Sequence, residues 1–397
     1  MSHSDELKLG VIGAGGRGGL ATLAHRPEEG VRIVAAMDVR DSSFEWMKTK
    51  VQGLWTTKDY RQLLDRSDID AVFITSPDFT HEEYTIAALE AGKHVYLEKP
   101  MAITIEGCDR ILEQARRVKK KLYLGHNMRH FNVIRKIKEC IDRGDIGEPK
   151  AGWCRHFVSY GGGAYFRDWH SERKNTTGLL LQKGSHDIDI LHWLLHGYTK
   201  RVTAMGGLTL YDKITDRRSP DEYGEQNCGI EIGWPPLSMT RVSPKIDIED
   251  ISMMLMELDN GVFASYQQCH YTPDSVRNYT VIGTQGRIEN FGDGPGESVV
   301  RIWNRKQYYN AYGDVQWFVP HVEGGHGGGD PSIVDEFIRY IRESAKIATS
   351  PVAARYSVAA GYQATMSLRN GSRPMDIPRL SQDIAEYFEQ DVLTTIK

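Results

Sequence analysis

Three short stretches carry the residue types that chemistry would need. The first is Gly13-Ala14-Gly15-Gly16-Arg17-Gly18, which follows the apolar run LKLGVI. The second is Glu98-Lys99-Pro100, and the third is LLLQKGSHDIDILHWLL at 179–195. If the third is one helix, Gln182, His186, Asp189 and Trp193 recur at i, i+4, i+7 and i+11 as a polar-tipped stripe, while Leu181, Ile188, Leu191 and Leu195 line another. An imidazole exchanges a proton near neutral pH because its ordinary pKa is about 6.5. An ammonium beside an oxygen stabilises alkoxide character, or shares the proton if burial lowers its pKa. These are the parts of a proton-transfer site, with His186 the candidate base, Lys99 the polarising group and Glu98 a candidate charge partner.

The glycine stretch matches GxGxxG. Gly13 permits a tight turn, Gly15 lets the backbone approach a pyrophosphate, and Gly18 lets the next helix pack closely on the strand. Free N–H groups across Gly16 and Arg17 and at the helix start would hold the phosphates. The second strand, RIVAAMD, ends in Asp38, twenty residues after Gly18. A carboxylate there accepts from a ribose diol and repels a 2′-phosphate, so NAD is expected over NADP. Arg40 keeps NADP in view, because it could pair with that phosphate.

The elements that must position these residues follow from pattern. AVFITSP at 71–77 reads as a buried strand, Thr80 and Glu83 as a capping box for a helix ending at Gly92, and HVYL as the next strand. A charged amphipathic helix over 105–120 and the strand KLYLGH continue the alternation, which indicates a doubly wound parallel sheet. Ligands bind such sheets at the carboxyl ends of strands, where Ser76-Pro77-Asp78, Glu98-Lys99-Pro100 and His126-Asn127 fall. From about Ala151 the runs become long and strand-like, with turns such as Asp259-Asn260-Gly261. A large, mostly antiparallel sheet is expected there, one face on helices and the other covered by a second subunit. Residues 212–248 look like a polar insertion or lid, and helices are expected over 331–345, 352–370 and the 379–397 tail. The domains are then 1–128, 129–378 and 379–397.

Composition narrows the class. A chain of 397 residues exceeds one ordinary core. Apolar content of 40%, charged content of 26% and a net charge of −4 describe a soluble globular protein with no electrostatic call for nucleic acid. No apolar run would span a membrane, and the first residues carry no leader signature, so a cytoplasmic location is expected. The five cysteines lack metal spacing and read as reduced structural thiols. No metal is expected either. His186 and Asp189 share a helix face, but His192 points away, and zinc needs three converging ligands.

Taken together, GAGGRG, TSPDFTH at 75–81, LEKPMA at 97–102, GSHDIDILHWL at 184–194, GTQG at 283–286 and SLRNGSRPMDIP resemble the Gfo/Idh/MocA family. The resemblance spans residues 7 to 378. It implies a Rossmann-type α/β domain followed by an α+β domain with an open-faced, mostly antiparallel sheet. It further implies an NAD(P)-dependent oxidoreductase acting on CH–OH groups of a sugar or polyol; the uncovered sheet face leads us to expect a homodimer or homotetramer. Carried over residue by residue, Lys99 and His186 reach the reacting hydroxyl, and the peptide before Pro100 is often cis. Ser76, Pro77, His81 and Glu98 join the cofactor set. Arg129 lies in an arginine-bearing segment that faces the substrate or the hinge. Tyr160, Tyr165, Arg167, Asp168, Trp169 and His170 resemble a sugar-binding surface, and a structural aromatic loop reads equally well. Gln182, Lys183 and Asp189 complete the substrate set, Asp189 orienting the imidazole or the substrate. Many members carry aspartate where this chain has Gln182, which cannot take a proton, so proton transfer falls on His186 and Lys99. A dehydrogenase is the first reading. An NAD-dependent glycosidase working by transient oxidation is the alternative, and retention of Lys99 and His186 argues against a non-enzymatic sensor.

Overall fold

The computed structural model describes residues 6–220, 233–293, 298–320 and 322–393. The chain forms two compact units, one running to Asn127 with Gly328–Arg355 and the residues from Leu380, the other comprising Met128–Gly327 and Tyr356–Arg379.

In the first unit, strands β1 (Leu7–Ile12), β2 (Val31–Met37), β3 (Trp55–Thr57), β4 (Ala71–Ile74), β5 (His94–Leu97) and β6 (Leu122–Leu124) pair in the order β3-β2-β1-β4-β5-β6, all parallel. The order reverses between β1 and β4, the switch point where such sheets bind ligands. β4 is buried along its whole length, as a strand covered on both faces must be. Phe73 on β4 stacks on Tyr96 of β5 at 4.7 Å, and Phe337 meets Phe73 edge-on at 5.2 Å. The helix Gly329–Glu343 thus belongs to this core through Ile333, Val334, Phe337 and Tyr340, although the sequence pattern grouped it with the second domain. The tail also docks here: its helix Gln382–Glu389 pairs Asp383 with Arg116 and buries Phe388. The expected capping box does not form. Residues Asp78–Thr80 wind a 3₁₀ turn first, so Thr80 turns its hydroxyl back to the Pro77 carbonyl (2.7 Å), and Glu83 accepts from Tyr60 instead. The segment after the glycine loop, Gly16–Ala24, is likewise a 3₁₀ helix.

The second unit holds a nine-stranded sheet of β7 (Pro149–Phe157), β8 (Thr199–Gly207), β9 (Ile251–Leu258), β10 (Phe263–Cys269), β11 (Val276–Gly283), β12 (Gly286–Phe291), β13 (Ser298–Trp303), β14 (Val315–Val319) and β15 (Met375–Asp376). Its order is β14-β13-β12-β11-β7-β10-β9-β8-β15, antiparallel except where β10 runs parallel to β7. Alternation along β9 turns Met254, Met256 and Leu258 inward and leaves Met253 and Leu255 49% and 63% exposed. With Met205 and Phe263 they make the second face of the sheet apolar and open.

The 179–195 stretch is two helices, Leu179–Gln182 and Gly184–Leu195, meeting at Lys183. Every residue in it except Trp193 is buried, so no face of the second helix is a solvent face. Within the expected insertion, residues 221–232 lie outside the described residues. The flanks are packed: Ile214, Met239, Val242 and Ile248 share a small core with Val158, Phe166, Leu179 and Tyr211. No helix among the described residues is long and apolar enough to cross a membrane.

Candidate active site

The nucleotide half lies at the β1–β4 switch point. Gly13 has φ +91°, and a Cβ on it would lie 2.5 Å from the Ser76 backbone nitrogen. A Cβ on Gly18 would run into the Gly13 carbonyl oxygen, and one on Gly15 would lie 2.6 Å from Ser43 Oγ. Gly13 and Gly18 meet backbone and admit no side chain, which keeps the tight turn a pyrophosphate needs. Asp38 follows β2 and closes the loop, its carboxylate accepting from Gly15 N–H (2.9 Å) and Arg40 N–H (3.0 Å). The Arg40 guanidinium stands 3.6 Å from the same carboxylate, half-exposed. These residues fit a dinucleotide.

Arg17 is not turned outward to phosphate. Its guanidinium bonds Glu98 Oε1 at 2.6 Å and both Asp330 oxygens at 2.7 and 2.8 Å, tying the loop to β5 and to the helix that starts at Gly329. Glu98 also accepts from the Lys99 main-chain N–H at 2.9 Å. The Lys99–Pro100 peptide is cis. His81 lays its two ring nitrogens against the Pro100 and Ser76 carbonyls at 2.6 and 2.9 Å, fixing the two strand-end loops to each other. Ser76 Oγ pairs with Thr80 Oγ1 at 2.6 Å, and Pro77 caps the 3₁₀ turn. Lys99 itself is half-buried.

The residues expected to meet substrate are in the second unit, where His186 sits in the first turn of Gly184–Leu195. The other ionisable groups of that helix are committed. Asp189 receives a bidentate grip from Arg129, with Nε and Nη2 each 2.7 Å from its oxygens and both side chains almost fully buried. Asp187, to which the sequence reading gave no role, is the hub of a buried network. It pairs with Arg277 (3.0 Å) and His156 (3.1 Å) and accepts from Tyr266 (3.1 Å) and Tyr279. Burial alone would raise its pKa, but Arg277 and His156 outweigh that and hold it well below the usual carboxylate range. His192 takes the Thr199 N–H on Nε2 at 3.1 Å, and burial pushes it down to about 4. Gln182 is buried one turn before His186.

Lys183, at the junction of the two helices, donates to the Tyr160 phenol at 3.0 Å and lies 5.5 and 5.9 Å from the Tyr160 and Tyr165 ring centres. The 160–170 loop is otherwise knit to itself. Asp168 accepts from the His170 main chain (3.0 Å) and pairs with its ring (2.6 Å), Trp169 stacks on His170 at 3.6 Å, and Arg167 donates to the Thr240 carbonyl (2.9 Å). The signal that could have exposed Asp187 is HDID itself: two carboxylates in an apolar helix must find buried partners. Their sequence distance, 90 residues to Arg277, hides which.

This pairing of a dinucleotide cradle with a mixed-sheet unit defines a class, and comparison with known proteins identifies it. Residues 7–126 match the family model described as the NAD-binding Rossmann fold of the GFO_IDH_MocA oxidoreductase family, and 138–377 match its C-terminal alpha/beta domain. The chain belongs to the Gfo/Idh/MocA oxidoreductase family, and its first unit is an NAD-binding Rossmann domain. YteT of Bacillus subtilis (strain 168) is 27% identical over 315 residues, 70% of this chain and 74% of that protein. Inositol 2-dehydrogenase of Klebsiella pneumoniae subsp. pneumoniae is 36% identical over 193 residues, 48% of this chain; the match spans about half of that enzyme, 55%. Among solved structures, levoglucosan dehydrogenase in complex with NADH and levoglucosan superposes with a TM-score of 0.74 at 20% identity, over 94% of this chain and 100% of that one. At that identity the likeness speaks for the fold.

Proposed function

We propose that this protein is an NAD-dependent dehydrogenase that interconverts a secondary hydroxyl and a carbonyl on a sugar or cyclic polyol. NAD, when bound, supplies the hydride acceptor. The chain's own residues must then place the carbon and handle the proton. The observation that carries the reading is the glycine cradle closed by Asp38 after β2, in a stretch that matches the NAD-binding Rossmann model of an oxidoreductase family. On that reading His186 transfers the proton, Gln182 positions the substrate, and the Lys99 ammonium polarises the reacting oxygen. Asp38, beside the loop, favours the unphosphorylated ribose of NAD.

The open apolar face of Met205, Met253, Leu255 and Phe263 supports a homodimer or homotetramer formed through the sheet. The free thiols Cys108, Cys140, Cys154 and Cys269 fit a reducing, cytoplasmic setting.

The test is turnover of inositols, free sugars and glycosides with NAD or NADP, read at the reduced-nicotinamide band. Reduced cofactor accumulating with a free polyol, and its loss in His186→Ala at unchanged NAD binding, is the expected result. Aglycone release from a glycoside without net reduced cofactor would overturn it.

A further inference from the structure

Lys183 raises a question of charge. It is 8% exposed, and among the described residues its ammonium pairs with no carboxylate; the group it bonds is the phenol of Tyr160. A buried ammonium is costly without a partner able to carry negative charge. Tyr160 opens the short helix Gly161–Tyr165 after β7 and is half-buried, which makes it the less buried member of the pair. Lys183 is one residue from Gln182 and three from His186, which puts the pair at the end of the helix that presents the imidazole.

The charged groups around the phenol agree with that arrangement. Lys183 is the strongest influence and lowers the Tyr160 pKa, burial opposes it, Arg277 lowers it further, and the more distant Asp187 raises it; the net direction is down. For Lys183, burial pulls down while Tyr160 and Tyr165 outweigh it, and the net direction is up. Tyr165, by contrast, is pushed by burial up to about 12 and stays a neutral neighbour. With the phenol's pKa lowered and the ammonium's raised, the first proton this pair gives up is the Tyr160 proton, and the phenolate that results stays beside the Lys183 ammonium.

We propose that the Tyr160–Lys183 pair is a second acid–base group of this site, supplying the proton transfer that Gln182 cannot. The proposal rests on the dehydrogenase reading above. In the reducing direction the carbonyl carbon gains a hydride from NADH, which becomes NAD. The C=O bond's second electron pair goes to oxygen, and that oxygen takes the Tyr160 proton. The phenolate left behind is held by Lys183 and regains a proton from water. His186 and Tyr160 serve the same oxygen, the imidazole and the phenol each able to carry the proton. Oxidation runs through the same groups in reverse.

Two measurements test this. In the first, carbonyl reduction is followed against pH. Wild type should keep its kcat/KM above the imidazole range, whereas Tyr160→Phe should lose about tenfold per pH unit there, reaching roughly 10²-fold. NADH affinity measured by fluorescence should be unchanged. A Tyr160→Phe profile that matches wild type overturns the proposal. In the second, ultraviolet difference spectra of the full-length protein are recorded without substrate. One tyrosine should ionise below the ordinary range of about 10. That signal should vanish in Tyr160→Phe, move to higher pH in Lys183→Gln, and persist in Lys183→Arg. Absence of such a tyrosine in the wild type also overturns the proposal. The titration is independent of turnover: a protein that shows the early tyrosinate yet oxidises no polyol has lost the dehydrogenase reading and kept the pair.

Discussion

Arg129 and Asp189 invite the sharpest perturbation, because the sequence offered both as substrate ligands and the structure joins them to each other. Each guanidinium nitrogen in the pair lies 2.7 Å from its oxygen, and the side chains are 5% and 2% exposed. Arg129 also lies 5.2 Å from the Trp193 ring centre on the same helix. Removing one partner of such a pair strands a buried charge, at about 3–5 kcal/mol. Arg129→Met should therefore consume a large part of a stability that is typically about 5–15 kcal/mol. In urea that is a drop in midpoint on the order of 1 M or more. Asp189→Asn should lose less, because an amide oxygen still accepts one guanidinium bond. The double variant Arg129→Met with Asp189→Leu removes both charges and should recover most of the loss, since a buried pair and a packed apolar pair are often close in energy. Wild type, Arg129→Met, Asp189→Leu and the double variant form a cycle whose coupling should be at least about 3 kcal/mol, the size of one single loss. Urea unfolding monitored by tryptophan fluorescence gives it directly. If the single variants keep the wild-type midpoint while KM for substrate rises, the pair is a substrate contact and the structural account is wrong.

Three further outcomes are expected. Asp38→Ser should cut the kcat/KM preference for NAD over NADP by roughly tenfold, the worth of one charged hydrogen bond at about 1.5 kcal/mol; an unchanged preference would move cofactor choice elsewhere, with Arg40 the first suspect. Burial lowers His156 to about 3 and His192 to about 4, so between those values and the unfolded pKa of about 6.5 the unfolded chain binds protons the folded chain refuses. Stability should then be intact above pH ~6.5 and fall below it by up to about 1.4 kcal/mol per pH unit for each histidine, and a urea midpoint identical at pH 7 and pH 5 would contradict this. Leu255→Lys on the open sheet face should lower the mass measured by light scattering without shifting the far-ultraviolet spectrum, and a monomeric wild type would refute the assembly reading.

What the sequence disclosed and what it hid separate along sequence distance. The glycine loop, Asp38 at the end of β2 and the alternation of strands and helices are local patterns, and each is present as the residues suggest. The membership of Gly329–Glu343 in the first unit was hidden, because Arg17 reaches Asp330 across 313 residues and no periodicity encodes that meeting. The capping box failed for a local reason of another kind. Ser76, Pro77 and Thr80 satisfy one another inside a 3₁₀ turn, which competes with the cap for the same hydroxyl. Spacing alone does not show the break in 179–195, because helical periodicity survives the junction at Lys183; there Gly184 sits so near Tyr266 that a Cβ would lie 3.1 Å from the ring.

That junction bears on the role proposed for a helix that is buried along nearly its whole length. Each polar residue in its body is answered by a fixed partner: Asp187 by Arg277, Asp189 by Arg129, His192 by Thr199. These pairs contribute no proton chemistry, yet they hold the helix against rotation more firmly than apolar packing alone, because each is directional. Chemistry needs side chains held to within about 0.5 Å by such a supporting shell. At the junction Lys183 bonds the Tyr160 phenol, and His186 follows in the first turn of Gly184–Leu195. Disrupting Asp187 should therefore act at a distance. Asp187→Asn leaves Arg277 only its longer 3.5 Å contact with Asp293, loosens the network under the helix, and should lower kcat while leaving NAD affinity, which resides in the other unit, at its wild-type value.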